Sequence, residues 1–337
     1  MSPRIRRRVV VLFLALSTAL VACSTPAAPP SSAPPPTPAA TPSPSIEPSP
    51  SAAAFPVTVT DDEATAVVLA SEPQKIVSLT PATTEILFEI GAGDRVVATD
   101  DGSDYPEAAV PLPDVASFSS VDVEKVVSLA PDLVVAGGLG FTPPDAITRL
   151  RSLDIPVVVV YAASVDGVFH DIELLGQATG TSDAAVALTT SMRSEIDAIS
   201  GAVAATGTKP RVYYEIGYDG TTGAIYAPAD KSFVAEMVTL AGGDTITTGS
   251  ASTYEIPLEK LIERDPEVIV LGVNPFYNPT PEAVAARPGW DVMTAVKNKD
   301  IRAVKDTEIT RPGPRLPIGL RALAATIRPD LTLPPAP

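Results

Sequence analysis

The chain has 337 residues, and 40 acidic residues against 24 Lys and Arg give it a net charge of −16. This balance argues against a nucleic-acid partner, because binding to phosphates requires basic patches. The only histidine is His170. Sites for bare Zn²⁺ or Mn²⁺ usually draw on several imidazoles, so a site of that kind is disfavoured.

Residues 1–22 are predicted to be a signal peptide. Arginines at positions 4, 6, 7 and 8 precede an apolar run over 9–20, which is too short to span a bilayer. The run ends in Leu-Val-Ala-Cys, and Cys23 is the one cysteine of the chain. This segment resembles the bacterial lipobox, which implies that Cys23 is lipidated and anchors an extracytoplasmic protein to the cell membrane without spanning it. The alternative is a cleaved signal peptide with an incidental cysteine.

Residues 23–54 are predicted to be a disordered tether between Cys23 and the folded part. The tract consists mainly of Pro, Ala, Ser and Thr, with almost no charge and no residues able to build a core. Such a composition favours an extended, semi-rigid spacer.

Residues 55–181 are predicted to form an amino-terminal α/β lobe. Two short runs at 57–60 and 66–69 flank a polar stretch, which is the pattern of a β-hairpin. Later apolar runs, as at 133–136 and 157–160, lack polar alternation. They predict strands buried on both faces, as in a parallel sheet covered by helices.

Residues 182–206 are predicted to form one long connecting helix. Apolar residues recur in steps of three and four, which marks a single helix face. They are Ala185, Leu188, Met192, Ile196, Ile199 and Val203. Ser182 or Asp183 can cap the start, and the helix would span about 30 Å. A second α/β lobe follows over 207–331, with a helix at 232–240, and a tail over 332–337.

An internal repeat relates the two predicted lobes. Residues 121–135 and 256–270 both read as a short helix with Glu-Lys in its first turn, a Pro-acidic turn and a buried strand. Glu124 and Glu259 occupy equivalent positions. The repeat predicts pseudo-symmetric lobes with a ligand cleft between them. The two glutamates either complement their helix dipoles or form a symmetric acidic pair that docks onto a two-fold symmetric partner.

The chain resembles the cobalamin and iron-siderophore periplasmic binding proteins, the class with a helical backbone between lobes. The resemblance extends over about 75–329. The matching segments are 76–81 with Thr84-Glu85, Asp104-Tyr105-Pro106, the two Glu-Lys repeats, Arg287-Pro288-Gly289-Trp290 and Arg311-Pro312-Gly313-Pro314-Arg315.

This resemblance implies two α/β lobes joined by one long rigid helix, and a protein that delivers a metal chelate to an ABC importer. It also implies that Glu124 and Glu259 engage arginines of a permease dimer, which works with an ATPase. We expect a monomer without a cofactor of its own, since the cobalt or iron arrives inside the ligand.

Aromatic residues and one arginine are the predicted ligand contacts. Flat rings give contact area to a broad chelate at little entropic cost, and arginine offers forked donors to anionic oxygens. The candidates are Tyr105, Phe118, Arg311, Tyr254, Tyr218, Phe276 and Trp290. Cobalamin-binding members tend to carry an aromatic near the position of Phe118. If theirs is tryptophan, this phenylalanine weakens the case for cobalamin.

The sequence does not identify the ligand, and two alternative functions also fit it. Cobalamin, a ferric siderophore and haem all fit such a cleft, with haem least favoured because histidine is scarce. A surface hydrolase would need paired carboxylates such as Asp100 and Asp101, but adjacent side chains on a strand point apart. A surface sensor or adhesion module on the same fold is the remaining alternative.

Overall fold

A computed structural model describes residues 55–138 and 140–336. The predicted signal peptide, Cys23 and the tether as far as residue 54 lie outside the described residues. No helix in the described part of the chain is long and apolar enough to cross a membrane.

The first lobe is built on a six-stranded sheet after an amino-terminal hairpin. The hairpin strands are β1 (Val57–Thr60) and β2 (Ala66–Leu69). The sheet strands are β3 (Ile76–Ser78), β4 (Val96–Asp100), β5 (Asp114–Ser117), β6 (Ser120–Val121), β7 (Leu133–Gly137) and β8 (Val157–Val160), in the order β6-β5-β4-β3-β7-β8. The helices are α1 (Pro81–Glu89), α2 (Val123–Ser128), α3 (Pro144–Arg151) and α4 (Val165–Thr179). Strands β7 and β8 are buried along their whole length, as their unbroken apolar runs predict.

The predicted hairpin is confirmed, and its turn is fastened to the edge strand β8. Strands β1 and β2 pair antiparallel from Val57 opposite Leu69 onward. The Asp62 amide donates to the Val159 carbonyl at 3.0 Å, and the Val159 amide donates to the Asp61 carboxylate at 3.2 Å. The turn therefore satisfies backbone groups that an edge strand would otherwise leave open.

Helix α5 (Ser182–Ala204) follows the first lobe, as predicted. Five of the six predicted positions form its buried face, namely Ala185, Met192, Ile196, Ile199 and Val203, whereas Thr189 is buried in place of Leu188. The expected cap from Ser182 or Asp183 is wrong, because Thr181 occupies the cap position and makes no side-chain capping bond. Its role as a single rigid connector remains a prediction.

The second lobe repeats the strand order of the first. Its strands are β9 (Arg211–Glu215), β10 (Gly217–Tyr218), β11 (Ile225–Tyr226), β12 (Asp244–Thr245), β13 (Val268–Val273) and β14 (Ile301–Lys305). Its helices are α6 (Phe233–Leu240), α7 (Leu258–Arg264), α8 (Pro281–Ala285), α9 (Thr294–Asn298), α10 (Thr307–Thr310) and α11 (Leu316–Ile327). The parallel order β12-β9-β13-β14 corresponds strand for strand to β4-β3-β7-β8. The predicted pseudo-symmetry is therefore present in the topology.

One hydrophobic core runs through both lobes. It contains Ile86 of α1 and Ile172 of α4 from the first lobe, Ile196 of α5, and Met237 of α6 and Leu320 of α11 from the second. The α4–α6 contact also includes a hydrogen bond, from the Val165 amide to Glu236 at 2.8 Å. Separating the lobes would expose this shared apolar surface to water, at a free-energy cost of about 25 cal/mol for each Å² exposed.

Candidate functional site

The loops at the carboxyl ends of the two parallel sheets meet between the lobes. Asp104, in the loop after β4, accepts a hydrogen bond from Arg311, just beyond α10, at 2.6 Å. Tyr161, directly after β8, lies within electrostatic reach of Tyr254 in the second lobe. In open α/β sheets, ligands bind outside the carboxyl ends of the strands. The cleft between these loops is therefore the candidate site.

Three aromatic rings in contact with one another form the first lobe's wall of the cleft. Phe118, a predicted contact, is 75% exposed in the turn between β5 and β6. Its ring packs edge-on against Phe141 at 6.4 Å between centroids, and Phe141 packs against Tyr161 at 6.0 Å. Sequence reasoning missed Phe141 and Tyr161. Both follow the carboxyl ends of predicted buried strands, and that position was the available signal.

The second lobe presents Phe276 and Tyr254. The Phe276 side chain is 99% exposed, and its turn is fixed because its amide donates to Asn274 at 2.9 Å. Phe276 stands eight residues after the start of β13, as Phe141 stands eight residues after the start of β7. The two phenylalanines therefore occupy equivalent places in the pseudo-symmetric lobes. Burial raises the pKa of Tyr161, and the neighbouring Tyr254 raises it further.

The glutamate and the lysine of each repeated Glu-Lys pair have different surroundings, and these surroundings are the same in both lobes. Lys125 donates to the Asp114 carbonyl at 2.6 Å, and Lys260 donates to the Thr248 carbonyl, so each lysine fastens its helix to an earlier segment of its own lobe. Glu124 and Glu259 lie exposed in the first turns of α2 and α7. Within the described residues, neither carboxylate has an ion-pair partner.

A buried ion pair supports the second lobe beneath its loops. Glu215 is 0% exposed and accepts from Arg287 at 3.0 Å and from the Tyr277 hydroxyl at 2.5 Å. Arg287 lies 3.8 Å above the Tyr218 ring and 4.6 Å from the Trp290 ring. Burial, and then Glu215, raise the pKa of Tyr277.

This packing corrects one of the predicted ligand contacts. Trp290 is 1% exposed within the second lobe's core, so it presents no surface to a ligand. Arg287 covers one face of the Tyr218 ring, and the role of Tyr218 as a ligand contact stays a prediction.

A second ion network joins the lobes. The Glu85 side chain, on α1, is 1% exposed and accepts two bonds from Arg315, at 2.8 and 2.6 Å, and one from Arg311 at 3.2 Å. The Arg315 guanidinium lies 4.4 Å from the Tyr105 ring centroid. Burial acts to raise the pKa of Asp104, but the hydrogen bond and charge of Arg311 hold it below its ordinary value.

This network shows how Arg311 is held. Its guanidinium is bound by Glu85 and Asp104, and its role as a ligand contact stays a prediction. Tyr105 remains partly accessible and keeps its candidate role. In the described part of the chain, no group of three or more His, Cys, Asp or Glu side chains could hold a metal ion.

Comparison with known proteins agrees with this architecture. The periplasmic binding protein family matches residues 76–307. An uncharacterized ABC transporter substrate-binding lipoprotein of Bacillus subtilis is 33% identical over 282 residues, covering 82% of this chain and 87% of that protein. A cobalamin-binding protein of Halobacterium salinarum is 34% identical over 274 residues, covering 79% and 72%. The crystal structure of the periplasmic vitamin B12 binding protein of Vibrio cholerae aligns with a TM-score of 0.65 and 25% identity, covering 76% and 97%. The chain therefore belongs to the periplasmic binding protein family, and it is a binding protein rather than an enzyme.

Proposed function

We propose that this protein captures a cobalamin-type metal chelate between its lobes and delivers it to an ABC importer. The support for the proposal is that the loops of each lobe present an aromatic wall at the carboxyl ends of its sheet, with Phe118, Phe141 and Tyr161 on one lobe and Tyr254 and Phe276 on the other. Rigid rings of this kind suit a broad, partly apolar ligand. The name of the Halobacterium relative points to the same ligand.

Haem fits the site less well than a corrinoid. A ferric haem needs an axial ligand from the protein, usually histidine or a tyrosinate. His170 lies on α4, 4.0 Å from Asp62 of the hairpin turn rather than among the cleft aromatics. Burial disfavours the ionised form of Tyr161, because it raises the pKa of that hydroxyl. The protein itself needs no resident cofactor, because the metal arrives inside the ligand.

Delivery would use Glu124 and Glu259 as paired docking groups. The helices α2 and α7 each lead into a central parallel strand, so their first turns lie at the carboxyl edges of the sheets, beside the cleft. Both carboxylates are exposed, while the adjacent lysines are committed to backbone carbonyls. A two-fold symmetric permease dimer would present one basic pocket to each lobe.

The membrane attachment is a separate part of the proposal. Cys23 would carry a lipid, and residues 24–54 would link it to the folded lobes, which begin at Phe55. The protein would then act as an extracytoplasmic monomer attached to the membrane only through its lipid. Mass spectrometry of the amino-terminal peptide tests this directly. An unmodified Cys23 in protein from the native membrane would refute the anchor.

A titration panel tests the ligand. The purified protein is titrated with cyanocobalamin, a ferric trihydroxamate, a ferric tricatecholate and hemin, with intrinsic tyrosine and tryptophan fluorescence as the readout. We expect saturable one-to-one binding of cyanocobalamin and weaker binding of hemin. Failure of every chelate to bind would refute the proposed function.

Charge reversal tests the docking groups. A Glu124→Lys/Glu259→Lys variant should lose uptake in cells while keeping the affinity of the purified protein for its ligand. Glu263→Lys is the matched control, since Glu263 is exposed on the same helix as Glu259 but outside its first turn. A loss of ligand affinity in the double variant would place the pair in the cleft instead.

A further inference from the structure

The arginines nearest the cleft are neutralised by carboxylates of the protein itself. Arg315 makes a two-pronged bond to Glu85, and Arg311 bridges Glu85 and Asp104. On the second-lobe side, Arg287 is held by the fully buried Glu215. An anionic ligand entering the cleft therefore meets arginines that already have partners.

The network that joins the lobes is balanced in charge. Glu308 also accepts from Arg315 at 3.1 Å, and Lys305 pairs with Glu308 at 2.5 Å. The three carboxylates are Glu85, Asp104 and Glu308, and the three cations are Lys305, Arg311 and Arg315. No net positive charge is left in this network to attract an anion.

Recruiting an arginine from the network would be costly. The Glu85 side chain is 1% exposed, so water cannot replace Arg311 and Arg315 as its partners. Removing one member of a buried ion pair leaves an uncompensated buried charge, and this is strongly destabilising. The bond between an anionic chelate and one of these arginines would have to offset that destabilisation.

Asp104 adds a repulsive element at the mouth of the site. Its side chain is 62% exposed beside Tyr105, and Arg311 keeps it ionised by holding its pKa low. An exposed carboxylate near the ligand disfavours wrong partners by like-charge repulsion. Asp104 thus accepts a bond from Arg311 and also exposes negative charge to solvent.

We infer that Glu85 and Asp104 are specificity determinants, which make the cleft accept neutral or cationic metal chelates and reject polyanionic ones. This inference rests on the proposed function, because it assigns a charge class to the ligand of the same cleft. Neutral corrinoids and ferric hydroxamates fall in the accepted class. Ferric tricatecholates, which carry several negative charges, fall in the rejected class.

The test compares a ferric trihydroxamate with a ferric tricatecholate on wild type, Asp104→Asn, Glu85→Gln and the control Asp101→Asn. Asp101 lies in the same loop, and it is exposed and outside the ion network. Wild type should prefer the trihydroxamate. Asp104→Asn should shift the affinity ratio toward the tricatecholate by on the order of tenfold, and the shift should shrink as salt rises. Glu85→Gln should shift this affinity ratio further toward the tricatecholate.

Three outcomes overturn the inference. Wild type that binds both iron complexes equally tightly would refute it while leaving the proposed function intact. An Asp104→Asn ratio equal to that of Asp101→Asn would do the same. Wild type that binds neither iron complex and also fails to bind cyanocobalamin would remove the proposed function and this inference together. If circular dichroism shows that Glu85→Gln fails to fold, Asp104→Asn decides alone, because its exposed site tolerates the amide.

Discussion

A buried carboxyl group in α4 gives the sharpest stability prediction. Asp171 is 3% exposed, and its Oδ1 atom makes no hydrogen bond among the described residues. It lies beside Asp62 of the hairpin turn. Burial, and then the Asp62 carboxylate, raise the pKa of Asp171 from 3.8 to about 9. The folded protein therefore carries a proton on Asp171 at neutral pH.

The sign of the pH dependence follows from proton linkage. Between about pH 4 and pH 9 the folded state holds a proton that the unfolded state has released, so stability falls as pH rises. The maximum slope is about 1.4 kcal/mol per pH unit. Below about pH 4 both states are protonated, and the stabilising contribution is then fully present. Asp171→Asn removes this linkage and keeps a donor for Asp62, so it should stabilise the protein by about 1–4 kcal/mol at pH 8.

Urea unfolding at pH 5, 6, 7 and 8 measures this effect. The difference in unfolding free energy between Asp171→Asn and wild type should grow steadily with pH. His170, next to Asp62, is present in both proteins, so its contribution cancels. Asp291→Asn, at an exposed site, is the control and should show no such trend. A difference that stays constant or shrinks as pH rises would refute the reasoning.

Three further predictions concern the second lobe and lobe closure. Arg287→Met leaves Glu215 buried without its cation and should lower the unfolding free energy by about 3–5 kcal/mol, measured by thermal unfolding; a loss below about 1 kcal/mol would contradict this. Gly272→Ala places a methyl group 2.6 Å from Asp306 and 2.7 Å from the Tyr214 hydroxyl, so it should cost about 1–3 kcal/mol in urea unfolding, and a neutral result would contradict the close packing. Because the lobes share one core around α5, small-angle scattering should show little compaction on ligand binding, and a large compaction would refute the rigid arrangement.

Much of the fold could be predicted because its signals are local. Buried strands such as β7 and β8 show as unbroken apolar runs, and α5 shows as a periodic face. The repeat around Glu124 and Glu259 predicted the matching strand order of the lobes. Each strand and helix pattern depends on the residues of one segment, and the repeat is found by comparing two segments of the sequence. These features can therefore be recognised in the sequence without a three-dimensional structure.

The site was predicted less completely because it depends on contacts between distant segments. The partner of Arg311 could not be predicted, because Glu85 lies more than 200 residues earlier in the chain. Trp290 has the chemistry of a ligand contact, but its depth in the core is set by tertiary packing. Phe141 was missed although it follows a predicted buried strand, because its exposure at the cleft depends on how its loop is placed in the folded protein.

Calorimetric titration of cyanocobalamin into wild type and a Phe141→Ala/Phe276→Ala variant tests most directly whether the ligand lies between the aromatic walls. Wild type should bind one equivalent with a negative heat-capacity change, because apolar surface is buried. The variant removes one ring from each wall and should bind at least about tenfold more weakly, at roughly 1 kcal/mol for each ring. Phe276 is fully exposed and Phe141 is half exposed, so the variant should fold normally. Equal affinity in the two proteins, or no binding to wild type, would contradict a chelate site in the cleft.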